Sequence, residues 1–551
     1  MPSRKKTLRR PNRSSLLAAA PAILIIAICS ALPLCWMLIT LIDNPDVRGE
    51  FSLSAFRLGL LARTLGYNAA AALIATAMGF PAGIVLGRSR GWIARILWIL
   101  LPAALFLPSL AYAYGWAQLV RVIAPSLVRF GITFRPTGPA DVFRCIWSLA
   151  AWLWAVPAGL IGVSLRQMDT AVQQQALLDG ALRRVTFRQL LGPIIASIAI
   201  VTLLATQEFA VYEPTGISVM ATEIRMVFDT GAISSPDNSI TGPVTGGGIK
   251  SPDQPARAAA AVATAFPLLA CTVLLAALAA WGARSAGASD ALTTGDWPPI
   301  LDASPWTVAL ALLLLLLNIG VPVASLIGSL HVPLSPTQIW NEFNPQIQGA
   351  MIVACEAATI AIIAALSASA RWIKGSLALA AAGFLIGGQL LAISLIRIYN
   401  RPGLVWAYDT SVVTVIAYLG RFGWLAIAAG KSTWTNPWQE LRDVASLDGA
   451  GPLRTAFSII FPLAWPTLLA GGLLVGALSL TEVPATVLLM PQNPQVLTPL
   501  LMTWVHTLRY DPMIEASLLM MSAVLIPSII AVILVGFGLR IVRRLRFSSS
   551  A

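Results

Sequence analysis

Long apolar runs, separated by short polar breaks, occupy most of this chain, and they outlast the strands and half-buried helices of a soluble core. A helix needs about 20 apolar residues to cross the hydrocarbon of a bilayer. Windows of that kind fall near 16–42, 64–87, 93–117, 145–167, 190–212 and 257–282. A second set falls near 306–330, 349–370, 375–398, 410–430, 457–481 and 515–539. The pattern predicts an all-α polytopic membrane protein of about twelve transmembrane helices in two six-helix halves.

The stretch 285–305 is polar, rich in small residues and carries Pro298 and Pro299, which marks a linker. The expected division is an N-terminal half over 1–284, a cytoplasmic linker over 285–305 and a C-terminal half over 306–551. The longest polar stretch, 229–256, has no periodic apolar signal and is expected to be an irregular loop on the outer face.

Composition strengthens the membrane reading. The 551 residues are 57% hydrophobic and 11% charged, whereas soluble domains carry about 25% charged residues. Most of the surface must therefore face a lipid bilayer. The net charge of +13 does not indicate nucleic acid, because the basic residues flank apolar runs. Arg4, Lys5, Lys6, Arg9, Arg10 and Arg13 precede the first run, and Arg540, Arg543, Arg544 and Arg546 follow the last. That placement follows the positive-inside rule and puts both termini in the cytoplasm. The first run is too long for a signal-peptide core and is expected to stay as a helix.

One short pattern occurs twice. Residues 176–181 read A-L-L-D-G-A and residues 445–450 read A-S-L-D-G-A. Gly180 and Gly449 stand 269 positions apart, and so do Pro193 and Pro462, and Glu213 and Glu482. Two parallel halves of this kind imply a pseudo-two-fold axis along the membrane normal, with a pathway between the halves.

Catalytic chemistry finds little to work with. Cys29, Cys35, Cys145, Cys271 and Cys355 are scattered, His331 and His506 are isolated, and no metal site is expected. Gly430-Lys431-Ser432-Thr433 resembles the end of a phosphate loop, but Leu425 stands where the leading glycine is needed. Glu356 lies inside an apolar span, where a carboxylate faces a cavity or a partner. Glu213, Glu482 and Glu356 are the candidates for a pathway or gate. The tryptophans near span ends, Trp92, Trp98, Trp116 and Trp147 among them, read as interface anchors.

The duplicated segment resembles the cytoplasmic coupling motif of ABC-importer permeases: E-A-A, three residues, G, nine residues, I, one residue, L-P. The first copy supplies Gln174-Gln175-Ala176, Gly180, Leu190 and Gly192-Pro193, and the second Asp443-Val444-Ala445, Gly449, Ile459 and Phe461-Pro462. Y-L-G-R-F-G-W-L-A at 418–426 and T-E-V-P-A-T-V-L-L at 481–489 are similar to fused two-domain permeases of the iron(III) and thiamine importer branch. The resemblance implies a type I importer architecture in the bacterial inner membrane, with no enzymatic activity and no cofactor in this chain. It implies two copies of an ABC ATPase that bind the ATP, and a periplasmic substrate-binding protein that delivers the solute. Iron(III) is the first substrate it suggests, with thiamine or another small organic solute as alternatives.

Under that resemblance Ala176, Asp179, Gly180, Pro193, Ala445, Asp448, Gly449 and Pro462 form the ATPase-coupling loops. Gly180 and Gly449 would turn the chain, and Asp179 and Asp448 would cap the next helix or pair with the ATPase. Pro193 and Pro462 would sit near the start of the following span. The leading Glu of the motif is absent from both copies, which leaves the charge pairing of the contact different from the family's. A gradient-driven secondary transporter is the alternative from another class.

Overall fold

A computed structural model describes all residues except 1–12, 45–53, 90, 130–137, 169, 231–253, 286–301, 332–334, 371–374, 435–437, 492, 508 and 550–551. The basic N-terminal cluster, most of the 229–256 loop and most of the linker therefore lie outside the described residues. Among the described residues the chain is helical, with no strand.

Among the described residues ten helices are long and apolar enough to cross a membrane. In the first half they are α1 (Leu17–Asp43), α2 (Ala55–Arg88), α5 (Pro139–Arg166), α7 (Leu182–Thr206) and α9 (Pro255–Arg284). Between them lie α3 (Trp92–Leu100), α4 (Ser109–Val128), the short α6 (Thr170–Leu178) and α8 (Met220–Thr230). The second half repeats the order with α10 (Pro305–Gly328), α11 (Thr337–Ala370), α14 (Ser411–Ser432), α16 (Pro452–Leu480) and α19 (Tyr510–Gly538). Its shorter members are α12 (Ser376–Ile386), α13 (Gly388–Tyr399), α15 (Trp438–Leu447), α17 (Pro484–Leu489) and α18 (Leu497–His506).

The windows near 93–117 and 375–398 are not single straight spans. The second is broken between α12 and α13, which meet at 96°. The first is broken between α3, with its short 3₁₀ extension Leu101–Phe106, and α4. The causes differ. Gly387 takes φ +87°, a left-handed conformation that a glycine adopts readily. At the first break Pro108 removes a donor and Leu107 is extended.

Close packing holds the spans together, because small residues let backbones approach where lipid supplies no hydrophobic drive between helices. Gly79, Gly83 and Gly87 form one stripe on α2, and a Cβ on Gly79 would lie 2.8 Å from the Trp154 carbonyl of α5. On α16, a Cβ on Gly476 would lie 3.0 Å from Ala358 of α11.

Among the described residues three helices contain a π-helical turn, and each turn ends two residues before a proline: Ala27–Ala31 before Pro33, Leu316–Gly320 before Pro322, and Ala456–Ile460 before Pro462. The wider turn relieves the clash between the proline ring and the carbonyl four residues back, and that carbonyl loses its helical partner. Two of these carbonyls serve as contacts between helices. Tyr112 on α4 donates its hydroxyl to Asn318 O. Cys29 O lies so close to Gly420 of α14 that any Cβ there would collide with it.

The first helix of each half packs on the other half. α1 lies against α11, α12 and α14, and α10 lies against α2 and α4. Ser367 of α11 ties into α1, accepting from Ala22 N at 3.2 Å and donating to Ala18 O at 2.8 Å. The sequence division at 285–305 thus separates two runs of chain but not two independently packed bodies.

Candidate functional site

The duplicated loops fold alike. In the first, Gly180 has φ +67°, and in the second Gly449 has φ +75°. Ala181 N donates to Ala176 O at 2.8 Å and Ala450 N to Ala445 O at 2.9 Å. Gly180 N reaches Leu177 O at 3.1 Å, and Gly449 N reaches Ser446 O at 3.2 Å. Each is a left-handed glycine C-cap that satisfies the last carbonyls of a short helix and reverses the chain.

Burial repeats as well. Ala176 and Ala445 are buried, which seats each short helix on the spans, while the next turn faces outward. Leu178 is 87% exposed and Leu447 is 86% exposed. Asp179 and Asp448 are exposed beside them. The expected capping role of the two aspartates is not what the structure has: the N-caps of the following helices are Ala181 and Gly451, neither with a side-chain cap. Both aspartates stay exposed at the turn without capping it.

Pro193 sits differently from expectation, well inside α7, because the helix after the first turn runs on into its span. Pro462 lies within the span α16 but takes a first-turn position of the α-helical stretch Phe461–Leu480 behind the π turn. Lys431 and Ser432 end α14 rather than precede a helix, so the phosphate-loop likeness has no matching fold.

Deep between the halves lies a polar cluster. Arg421 on α14 donates through Nε to Glu482 at 3.3 Å and through Nη1 to Gln207 Oε1 and to Phe384 O. Gln207, just past the end of α7, donates back to Phe384 O at 3.1 Å and Leu385 O at 3.4 Å. Both carbonyls lie in the last turn of α12 before its break from α13, and Phe384 O accepts from Gly387 N at 3.2 Å as well. Trp152 stands 269 positions before Arg421 and serves the other break, donating to Leu107 O at 3.3 Å. Arg421, Gln207, Glu208 and Glu482 are all more than nine-tenths buried.

The helix ends show which glutamates correspond. α7 ends at Thr206 and Glu208 follows two residues on; α16 ends at Leu480 and Glu482 follows two residues on. Each carboxylate accepts from a backbone N–H just beyond it, Ala210 N at 3.3 Å and Ala485 N at 3.2 Å. Each also stands by the helix that resumes after a break: Glu208 beside Ser109 of α4, and Glu482 against Gly388 of α13. The structural counterpart of Glu482 is thus Glu208, not Glu213, because α16 has extra residues, including its π turn, that α7 lacks.

Glu213 lies apart, half-buried in a salt bridge with Arg225 at 2.8 Å and near His506 at 3.7 Å. Burial pushes its carboxyl up from the ordinary range, against the lowering effect of Arg225 and His506. Glu356 is half-buried on α11, beside the exposed row Ile352, Cys355, Thr359 and Ile363, and does not join the cluster. Of the three gate candidates, the structure brings only Glu482 to the centre. Gln207 and Glu208 escaped the sequence reading; the signal was the T-Q-E of 206–208 matching L-T-E of 480–482 when counted from the helix ends.

A cavity of about 30 Å³ adjoins the cluster between Thr206, Gln207, Gly387 and Gln389. One guanidinium, two carboxylates and an amide thus gather in a low-dielectric setting where the halves meet. Among the described residues no group of three or more His, Cys, Asp or Glu could hold a metal ion. Compared with models of known protein families and with curated proteins, the sequence matches none.

Proposed function

We propose that this chain is the membrane-embedded permease of an ATP-driven importer, with its two Asp-Gly loops as the docking surfaces for two ABC ATPase subunits. The observation that carries this reading is the duplicated turn: the same left-handed glycine, the same backbone bonds, and an outward leucine and aspartate in each copy. A leucine exposed to that degree beside an exposed carboxylate, made twice, suits a protein partner with an apolar groove and a basic rim.

The loop end also gathers the starts of α1 and α10, the end of α9 and the C-terminal end of α19, which agrees with a cytoplasmic face in the bacterial inner membrane. On this reading the chain itself is no enzyme and holds no cofactor; ATP is bound by the partner. A periplasmic binding protein delivers the solute, with iron(III) first and thiamine or another small organic solute next, on the resemblance of 418–426 and 481–489.

The test is a mild-detergent pull-down of the chain from its native membrane, with mass spectrometry of what accompanies it. About two ATPase subunits per chain are expected. Replacing Gly180 and Gly449 by Val forces a β-branched residue into φ > 0, and should remove the ATPase while leaving the chain folded in the membrane. Retention of the ATPase by that variant would sink the docking assignment. The buried charges of Arg421, Glu208 and Glu482 favour one rival, a gradient-driven carrier. Uptake that survives ATP depletion but stops with a protonophore would select it.

A further inference from the structure

The two loops share their turns but differ in how a side chain ties them to the spans. In the second loop Arg442 reaches past its own helix. Its Nη1 donates to Thr433 O, and its Nη2 donates to Ser369 O at 2.5 Å and to Thr433 Oγ1 at 3.2 Å. The guanidinium stacks on Trp434 at 4.1 Å, and Trp434 in turn donates to Ala368 O at 3.0 Å. Those carbonyls belong to the last turns of α11 and α14, where unpaired C=O groups and the helix dipole favour a cation. Burial lowers the guanidinium to about 10, which leaves it charged at neutral pH. At the matching place in the first loop stands Gln173, 269 positions earlier, with a bond of 3.5 Å to nearby Met168 O.

We propose that Arg442 is a positioning residue for transport: it welds the second loop to α11 and α14, and α14 carries the loop's movement to the Arg421–Gln207 contact between the halves. This rests on the coupling reading of the loops. The helix that would transmit the movement contains no proline from Ser411 to Ser432. Arg421 stands eleven residues before the end of α14, about 16 Å along a helix rising 1.5 Å per residue. Movement at Thr433 therefore meets no break before Arg421. There one guanidinium holds Glu482 of its own half and Gln207 of the other.

The experiment uses the full chain in nanodiscs, its five cysteines replaced, carrying one of two pairs of nitroxides, so that Leu447 is unlabelled whenever the ATPase is present. Labels at Leu447 and Ile363 report α15 against α11, and labels at Phe143 and Val405 report the halves at the far end. In the chain alone, Arg442→Ala should broaden the Leu447–Ile363 distance distribution at least twofold, and Arg442→Lys should recover part of the narrowing; Gln173→Ala should leave it unchanged. With the co-purified ATPase and AMP-PNP, Arg442→Ala should keep the ATPase bound yet lose more than half of the Phe143–Val405 shift seen in the parent. An unchanged Leu447–Ile363 distribution would overturn the weld, and a full shift at the far end would overturn the transmission. Loss of the ATPase from Arg442→Ala would make the residue part of the docking face and overturn its positioning role. If the parent itself retains no ATPase, the coupling reading fails while the chain-alone result still judges the weld.

Discussion

Arg421 is the residue on which the centre of the molecule turns. It is buried with two carboxylates nearby, and its bonds join Glu482, Gln207 and Phe384 O in low dielectric. Removing it should cost far more than removing one acceptor. Arg421→Ala is expected to destabilise by about 3–5 kcal/mol, the range for breaking a buried pair, whereas Glu482→Gln should cost less because an amide oxygen can still accept. Thermal unfolding in detergent, followed by scattering-corrected fluorescence, measures both; equal losses would show that the guanidinium is not the organising charge. Gly388 belongs to the same problem, since a Cβ there would collide with the Glu482 carboxylate.

At the scale of single helices, the coupling of π turns to prolines explains how Pro33, Pro322 and Pro462 sit inside spans. Proline takes a hydrogen bond from the helix and leaves a carbonyl to be satisfied elsewhere. Pro322 frees Asn318 O, and Tyr112 takes it up from another helix. Tyr112→Phe should therefore lower stability by about 1–3 kcal/mol, the penalty for a buried acceptor left unsatisfied. Pro322→Ala in the same chain supplies an N–H four residues on and should restore most of that loss. A double-mutant cycle on unfolding midpoints reads the coupling; strict additivity would mean the carbonyl needs no partner.

The whole molecule is held by exchange. Because α1 packs on the second half and α10 on the first, each half contributes a wall to the other. A chain cut between residues 286 and 301 by an engineered protease site is expected to stay as one particle through size-exclusion chromatography in mild detergent. Separation of the two fragments would show that the exchanged helices contribute little. The Arg421 cluster sits at this shared interface.

The sequence by itself determined the membrane class, the long spans to within a few residues at most ends, and the two Asp-Gly turns. These are local matters: span length follows from bilayer thickness, and a turn at φ > 0 selects glycine where it occurs. Even the equal offset of the turns was legible, because Gly180 to Pro193 and Gly449 to Pro462 span the same number of residues. The breaks in the third spans, the partner of Glu482 and the clamp on Arg442 were decided only in the tertiary structure. A glycine or proline marks a weak point without saying which side chain will take up the freed carbonyls, and Gln207, Trp152 and Arg421 arrive from other helices. Counting positions from the loop matched Glu482 to Glu213; only the end of each helix, set by packing across the bundle and by an inserted π turn, shows that Glu208 is its counterpart.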